Sequence, residues 1–322
     1  MQRILDPAQI EAFAERSIPR LRLAEPATLY LTRAQRLSAL SAGHAIGEYL
    51  QFMASLCQAQ HQACASLVAL SGRAGAHLEP LPAQMARAQA HGLPVLQASA
   101  LRRHASWRAV LVQLCESLQE RAPEPARWVC ERLRAAEPEW LESEADRLLA
   151  VSAGLPDLQS APFVMAALQV YWTALAQVVA RDPASLSALH KGPADNAMAG
   201  VCPVCGTLPV ASVVRADAQF QGYRYLHCAL CATEWHLVRV KCSHCLSSQG
   251  IHYHYLAQDS EAVRAESCDG CRTYRKILYH EKDPAAEPVA DDLASLSLDL
   301  LMGDEGYRRP SGNPLLWQPP AD

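Results

Sequence analysis

Apolar residues in the first 195 positions recur at helical spacing. One run follows intervals of three, four and seven positions, which is typical of the buried face of a helix. It comprises Ile46, Leu50, Met53, Cys57, Cys64 and Leu67. The pattern predicts helix from about residue 30 to residue 70, with a break near Gly43. Further helices are predicted to begin at Ser106 and near Pro125 and Pro138, since proline is favoured in the first helical turn.

The most apolar stretch, residues 161–180, contains no charged residue over its whole length. A helix of that length could span a bilayer. Gln169, Thr173 and Gln177 fall on one helical face, however, and many of the other residues are alanines. A polar stripe and modest hydrophobicity favour a buried helix within a bundle. We therefore predict no membrane insertion.

Beyond residue 200 the apolar pattern changes to alternation, which is typical of strands. The clearest runs are 210–215 and 251–256. Proline, glycine, asparagine and aspartate between 181 and 200 interrupt any long helix and predict a boundary. After Lys282, an acidic linker precedes Asp291 and Asp292, which are predicted to cap a short leucine-rich helix. The proline-rich end is predicted to be an extended tail that docks on the protein or on a partner.

Eight of the twelve cysteines lie in four C-x-x-C pairs. The pairs are Cys202/Cys205, Cys228/Cys231, Cys242/Cys245 and Cys268/Cys271. Each cysteine of the first two pairs recurs 40 residues later, so the stretch is a repeat with four cysteines in each copy. The period predicts two sequential sites, the first from residues 202–231 and the second from residues 242–271.

Two C-x-x-C turns can direct four thiolates at one point, and such a cage suits zinc or a single iron ion. The alternatives are disulfide-linked ribbons, which need an oxidising compartment, and dithiol redox chemistry, for which no single pair stands out. The N-terminal residues carry no apolar run typical of a secretory signal peptide. We therefore expect a cytoplasmic protein with two metal ions.

The other cysteines and the histidines are weaker ligand candidates. Cys57, Cys64, Cys115 and Cys130 have no metal-site spacing, and buried free cysteine packs as a small hydrophobic residue. Six histidines lie in or near the repeat, but each copy already has four cysteines. They are His227, His236, His244, His252, His254 and His280.

Together these patterns predict a multi-part α+β protein. An all-α domain, residues 1–195, is expected to have its own core. Two tandem zinc-ribbon-like metal-binding modules, each with four cysteines, follow at 196–240 and 241–282. A C-terminal helix and extended tail occupy 283–322.

Charge argues against a nucleic-acid partner. Residues 200–282 contain nine Lys or Arg and seven Asp or Glu, a net charge of +2. Two divalent ions, each held by four thiolates, would change that to −2, and phosphate binding needs a surplus of Lys and Arg.

No nucleophile–base pair or cofactor fingerprint appears in the helical half, so we expect a protein that is not an enzyme.

Several segments resemble the FdhE family of formate dehydrogenase accessory proteins. The most specific are residues 226–245, 265–279 and 291–299, and residues 30–37 and 48–52 are also similar. The resemblance implies a cytoplasmic protein that binds the catalytic subunit of respiratory formate dehydrogenases before export. It also implies rubredoxin-like sites that hold iron, so iron is favoured and zinc is the alternative. A rubredoxin-like electron carrier or redox sensor is the second hypothesis, and a zinc-ribbon nucleic-acid binder is a remote third.

The join between the two copies is the predicted contact surface for that partner. It contains Glu234, Trp235 and Arg239, and Trp and Arg are frequent at interfaces. Trp235 could instead pack between the modules, whereas Glu234 and Arg239 are expected to be exposed. The sequence makes no prediction about oligomeric state.

Overall fold

The computed structural model describes residues 19–70, 86, 88, 90–150, 154–181, 199–216, 222–256 and 261–316. Its helices are α1 (Leu29–Ser41), α2 (Gly47–Leu70), α3 (Ser106–Leu118), α4 (Glu124–Arg134), α5 (Pro138–Leu148), α6 (Ala161–Ala180), α7 (Pro288–Ala294) and α8 (Leu296–Asp304). Its strands are β1 (Leu21–Arg22), β2 (Pro209–Val214), β3 (Arg224–Cys228), β4 (Glu234–His236), β5 (Ile251–His254), β6 (Val263–Cys268) and β7 (Thr273–Tyr279).

A helical region therefore precedes a region that contains a sheet, as the sequence predicts. The break between α1 and α2 lies where it was expected, because Gly43 adopts a φ of 71°, a left-handed conformation that ends a helix. The helices predicted near Ser106, Pro125 and Pro138 are α3, α4 and α5. The boundary predicted within residues 181–200 falls largely outside the described residues, so the division at residue 195 stays a prediction.

The apolar stretch forms α6, a buried helix of the bundle that packs against α2, α3 and α5. It is also the one helix in the described ranges that is long and apolar enough to span a bilayer. Its polar stripe provides contacts inside the protein. The Gln169 amide donates to the carbonyl of Ala229, and the Gln177 amide donates to the carbonyl of Ala24. Burial of the helix and use of its polar face confirm the prediction of a bundle helix.

The seven strands form a single sheet in the order β1-β4-β3-β2-β7-β6-β5. Within each repeat copy the three strands are antiparallel, and the copies join through the parallel pair β2 and β7. It follows that β3 and β6 run in the same direction. Cys228 and Cys268 are the last residues of these two strands, and they therefore lie at the same end of the sheet.

The helices and the first copy share one hydrophobic core. A single cluster of buried side chains contains Trp107 and Trp172 from the helices together with Val204, Leu226 and Trp235 from the first copy. The expectation that the helical region has a core of its own is therefore wrong. One contact that joins the two regions is the pairing of β4 with β1, which lies before α1 in the chain.

The C-terminal segment connects the helices to the second copy. Two short helices replace the predicted one, and the N-cap of α7 is Glu287, whose carboxylate accepts from the amides of Val289 and Ala290. The prediction that Asp291 and Asp292 cap the helix is wrong, because both lie inside α7 and are buried. Asp291 pairs with Arg36 of α1, and Asp292 pairs with Arg309.

The tail that follows lies on the protein over its described part, as predicted. Ser311 donates to the carbonyl of Pro209, and Leu315 is fully buried. The predicted docking of Trp317 lies outside the described residues.

Candidate metal centres

The eight C-x-x-C cysteines come together in two groups of four. The first group is Cys202, Cys205, Cys228 and Cys231, and the second is Cys242, Cys245, Cys268 and Cys271. Within each group the four sulfur atoms lie within 4.8 Å of one another. The structure thus groups the cysteines sequentially, as the 40-residue period predicts.

Each C-x-x-C pair forms the same tight turn, which we call a knuckle. The residue directly after its second cysteine has a positive φ of 55° to 76°; these residues are Gly206, Ala232, Leu246 and Arg272. In three knuckles the amide of this residue donates to the carbonyl of the first cysteine, at 2.8 to 3.1 Å. The left-handed residue reverses the chain so that both sulfur atoms point to the same side.

Distances between the sulfur atoms fit a tetrahedral metal ion. Cys202 Sγ lies 3.6 Å from Cys231 Sγ, and Cys205 Sγ lies 3.4 Å from Cys228 Sγ. In the second group the corresponding distances are 3.7 and 3.6 Å. A metal with metal–sulfur bonds of about 2.3 Å needs edges of about 3.8 Å. The donor set and its geometry therefore fit Zn²⁺ or a single iron ion, with all four positions supplied by the protein.

Hydrogen-bond donors surround the sulfur atoms. The amides of Leu230 and Cys231 point to Cys228 Sγ, and the amide of His244 points to Cys242 Sγ. Thr273 Oγ1 lies 3.0 Å from Cys271 Sγ, and the Cys231 thiol donates to Thr233 Oγ1 at 3.1 Å. Amide and hydroxyl donors next to sulfur stabilise thiolates and tune a bound metal.

Thr233 and Thr273 were not predicted from the sequence to be functional residues. Thr233 and Thr273 are related by the same 40-residue offset as the cysteines, and that relation was the available signal. Thr207, by contrast, has no threonine counterpart, because Ser247 occupies the matching position. Its Oγ1 lies 3.1 Å from Cys205 Sγ and 3.0 Å from Cys228 Sγ, so the first site has an additional hydroxyl.

The first site is enclosed by the helical region. The amides of Leu96 and Ala98 donate to the carbonyls of Val204 and Cys205, which fixes the first knuckle. Trp172 of α6 donates in turn to the carbonyl of Leu96. All four cysteines of this site are buried, with at most 1% of the surface of each exposed.

The second site is partly open to solvent. Cys242 and Cys268 are buried, but Cys271 is half-buried and Cys245 is exposed. The knuckle of Cys268 and Cys271 is supported at the surface by Asp269, which accepts from the hydroxyl of Tyr307 and contacts His252. No histidine belongs to either group of four among the described residues.

The predicted contact residues are placed very differently from one another. Arg239 is exposed, as expected, and its guanidinium lies over the ring of Tyr279. The prediction that Glu234 is exposed is wrong, since only 4% of its surface is accessible and it pairs with Arg215 and His227. Burial opposes ionisation of Glu234, but Arg215 and His227 outweigh it and lower its pKa to about 2.

Trp235 is buried as well, but not between the two modules. It lies opposite Leu21 of β1 in the sheet, and its indole donates to the carbonyl of Ala199. Trp235 therefore belongs to the core shared with the helices, and only Arg239 of the three residues is accessible to a partner.

Buried cations hold the two copies together. Arg224 of β3 and Glu266 of β6 form an ion pair at 2.7 Å, and neither side chain is exposed to solvent beyond 3%. Arg275 of β7 donates to Ser243 Oγ and to the carbonyl of Pro209. Burial, with help from Arg309 and Arg224, lowers the pKa of Arg275 to about 9, so its guanidinium remains charged at neutral pH.

The fold and these sites define a class: a helical protein with a repeated sheet module that carries two tetrathiolate sites. The chain belongs to the FdhE family. Family models match residues 18–187 (FdhE, N-terminal), 201–239 (FdhE, central domain) and 240–316 (FdhE, C-terminal domain).

Relatives and a solved structure cover nearly the whole chain. A protein FdhE homolog of Serratia proteamaculans is 40% identical over 98% of both chains. Protein FdhE of Escherichia coli K12 is 42% identical over 93% of this chain and 92% of its own. The crystal structure of the FdhE protein from Pseudomonas aeruginosa is similar with a TM-score of 0.78 and 34% identity, covering 92% of this chain and 99% of that one.

Proposed function

We propose that this protein is a metal-binding accessory factor for the maturation of a respiratory formate dehydrogenase. It binds the catalytic subunit of that enzyme in the cytoplasm before export. The observation that carries the proposal is the match of the chain, through all its parts, to the FdhE family together with two complete tetrathiolate sites.

Both sites would hold iron in the rubredoxin manner, with zinc as the alternative. Iron bound by four thiolates supplies one-electron chemistry when it is present. The cysteines and the nearby threonine hydroxyls would hold the ion and set the hydrogen bonding around it. A visible absorption spectrum of anaerobically purified and then oxidised protein tests the metal, because ferric tetrathiolate is red and zinc is colourless. A colourless protein with two equivalents of zinc would contradict the iron assignment.

The accessory role requires no catalysis by the chain itself. In each group, four protein ligands fill the tetrahedron, and a catalytic metal keeps a position open for water or substrate. The second candidate function is a redox sensor or electron carrier, and the exposure of Cys245 favours it, because electron exchange needs an accessible site. That function is compatible with partner binding and can act within it.

Binding to the catalytic subunit is the direct test. Purified full-length protein should form a complex with the isolated catalytic subunit, and it should not bind an unrelated exported oxidoreductase subunit. In cells that lack their own accessory protein, the chain should restore formate dehydrogenase activity. Absence of both complex formation and restored activity would reject the accessory role and leave the electron carrier as the better proposal.

A further inference from the structure

A groove of about 760 Å³ opens where the helices, the first copy and the C-terminal segment meet. Its lining is mostly apolar and includes Met165 of α6, Leu208 and Leu230 of the first copy, and Pro310 and Pro314 of the tail. Concave apolar sites at the junction of several structural parts are typical places for ligand binding.

The groove reaches the shell of the first metal site. Cys205, Thr207 and Ala229 belong to its lining, and Thr207 is the residue whose hydroxyl lies within 3.1 Å of two cysteine sulfurs. A bound ligand would therefore touch the knuckles of the first site without entering the coordination sphere.

Two exposed leucines at the groove enlarge its apolar surface. Leu155, in the loop after α5, is 66% exposed, and Leu300 of α8 is 73% exposed, and both line the groove. A small molecule within the groove would leave most of these side chains in water. A polypeptide segment that lies along the groove would cover them, and exposed apolar surface next to a cavity commonly indicates such contacts.

The charges of the groove favour an acidic segment. Arg147 is paired with Glu144, and Arg309 is paired with Asp292 and Asp299. Arg308 also lines the groove and is exposed, and it forms no ion pair with any described residue. The charge left for a ligand is therefore positive, and a carboxylate complements it.

We propose that this groove binds an apolar polypeptide segment that carries a carboxylate, with Leu155 and Leu300 covering its aliphatic side chains and Arg308 pairing with its acid. The inference rests on the proposed function, in which the segment belongs to the catalytic subunit of formate dehydrogenase.

The test compares groove variants with matched surface variants in the full-length, metal-loaded protein. Leu300→Glu and Arg308→Glu should each weaken binding of the catalytic subunit by at least about tenfold. Val240→Glu changes an aliphatic residue that is 61% exposed and lies outside the groove, and Arg127→Glu reverses an exposed charge on α4. Both controls should bind as the wild type does. Metal content and circular dichroism establish that each variant is folded.

Site-specific photocross-linking gives a readout that does not depend on a change in affinity. A benzophenone side chain at position 300 should cross-link to one acidic, apolar segment of the catalytic subunit, and the same group at position 240 should not. Wild-type affinity in the groove variants, or cross-links from position 240 alone, would overturn the groove and move the contact to the surface around Arg239. Failure of the wild-type protein to bind the subunit at all would instead reject the proposed function, and this inference with it.

Discussion

The two tetrathiolate sites are built from the same repeated knuckle, but their surroundings differ. Every cysteine of the first site is buried against the helical region, whereas the second site has one exposed and one half-buried cysteine. The ligand geometry is the same because the local sequence is repeated. Exposure differs because the first copy is held against α6 by the bond from Gln169 to Ala229 and against the segment around Leu96 by two backbone bonds. Repetition thus determines where metal ions can be held, and packing determines what can reach those two sites.

The largest expected effect is the loss of the first site. Cys228→Ser/Cys231→Ser should lower metal content by half and also unfold part of the helical region, because this knuckle lies in the shared core. Binding of a structural metal contributes on the order of 10 kcal/mol to the stability of a small metal domain. We expect the melting temperature, followed by circular dichroism at the helical band, to fall by more than about 10 °C.

Cys268→Ser/Cys271→Ser is the matched variant at the second site. It should lose the same amount of metal and keep the helical transition close to that of the wild type. Equal effects of the two double variants on the helical transition would show that burial of the first site does not couple it to the helices.

The next effect concerns the ion pair that joins the two copies. Glu266→Ala leaves the Arg224 guanidinium buried without its carboxylate, which typically costs about 3–5 kcal/mol. Urea unfolding should show this loss. The double change Arg224→Met/Glu266→Leu should recover most of it, because apolar side chains of similar size often replace a buried pair without loss. A double variant as unstable as Glu266→Ala would contradict this account.

Much of the two sites and of the fold around them could be predicted from the sequence, because the signals involve residues that are close together in the chain. Cysteine spacing, the 40-residue period and the alternation near residues 210 and 251 depend on neighbours in the chain. The eight cysteines, strands β2 and β5 and helices α1 to α6 were therefore predictable. Thr233 and Thr273 could have been recognised through the same period.

The rest depends on residues that are distant in the sequence. Glu234 is buried because Arg22 of β1 and Arg215, directly after β2, approach it from distant parts of the chain. Asp292 is buried because Arg309 and Lys276 surround it. The enclosure of the first site requires the Gln169 amide to reach the carbonyl of Ala229 from another region. The spacing of residues within a single segment of the sequence cannot predict contacts of this kind.

Accessibility predicts a smaller, kinetic difference between the sites. A strong chelator should remove metal from intact protein in two phases, with the second site emptied more than about tenfold faster, because reactivity of thiolate ligands follows their exposure. Released metal can be followed with a chromogenic indicator. The Cys268→Ser/Cys271→Ser variant should lack the fast phase. A single phase in the wild type would mean that both sites open by a common unfolding step.

The smallest effect lies in the left-handed residues of the knuckles of the first site. Gly206 and Ala232 occupy the same position in their turns, with φ values of 76° and 55°. A left-handed conformation costs a residue with a Cβ atom about 1–2 kcal/mol relative to glycine. Glycine, however, also stabilises the unfolded chain, by about 0.4–1 kcal/mol. We therefore expect Ala232→Gly to stabilise the protein by up to about 1 kcal/mol and Gly206→Ala to destabilise it by a similar amount.

Steric contacts do not change that expectation for Gly206→Ala, since a Cβ atom there would meet Pro94 Cγ at 3.4 Å and Gln97 Cγ at 3.7 Å, which are ordinary contacts. Both variants should retain two metals, because the sulfur positions depend on the turn and not on the side chain.

Arg272→Gly is the control in the second site, where the side chain stacks on Tyr307 and donates to the carbonyl of Glu305. Loss of those contacts should cancel the gain from glycine. If Arg272→Gly stabilises the protein as much as Ala232→Gly, the turn geometry alone governs both sites, and the surface contacts of the second knuckle contribute nothing measurable.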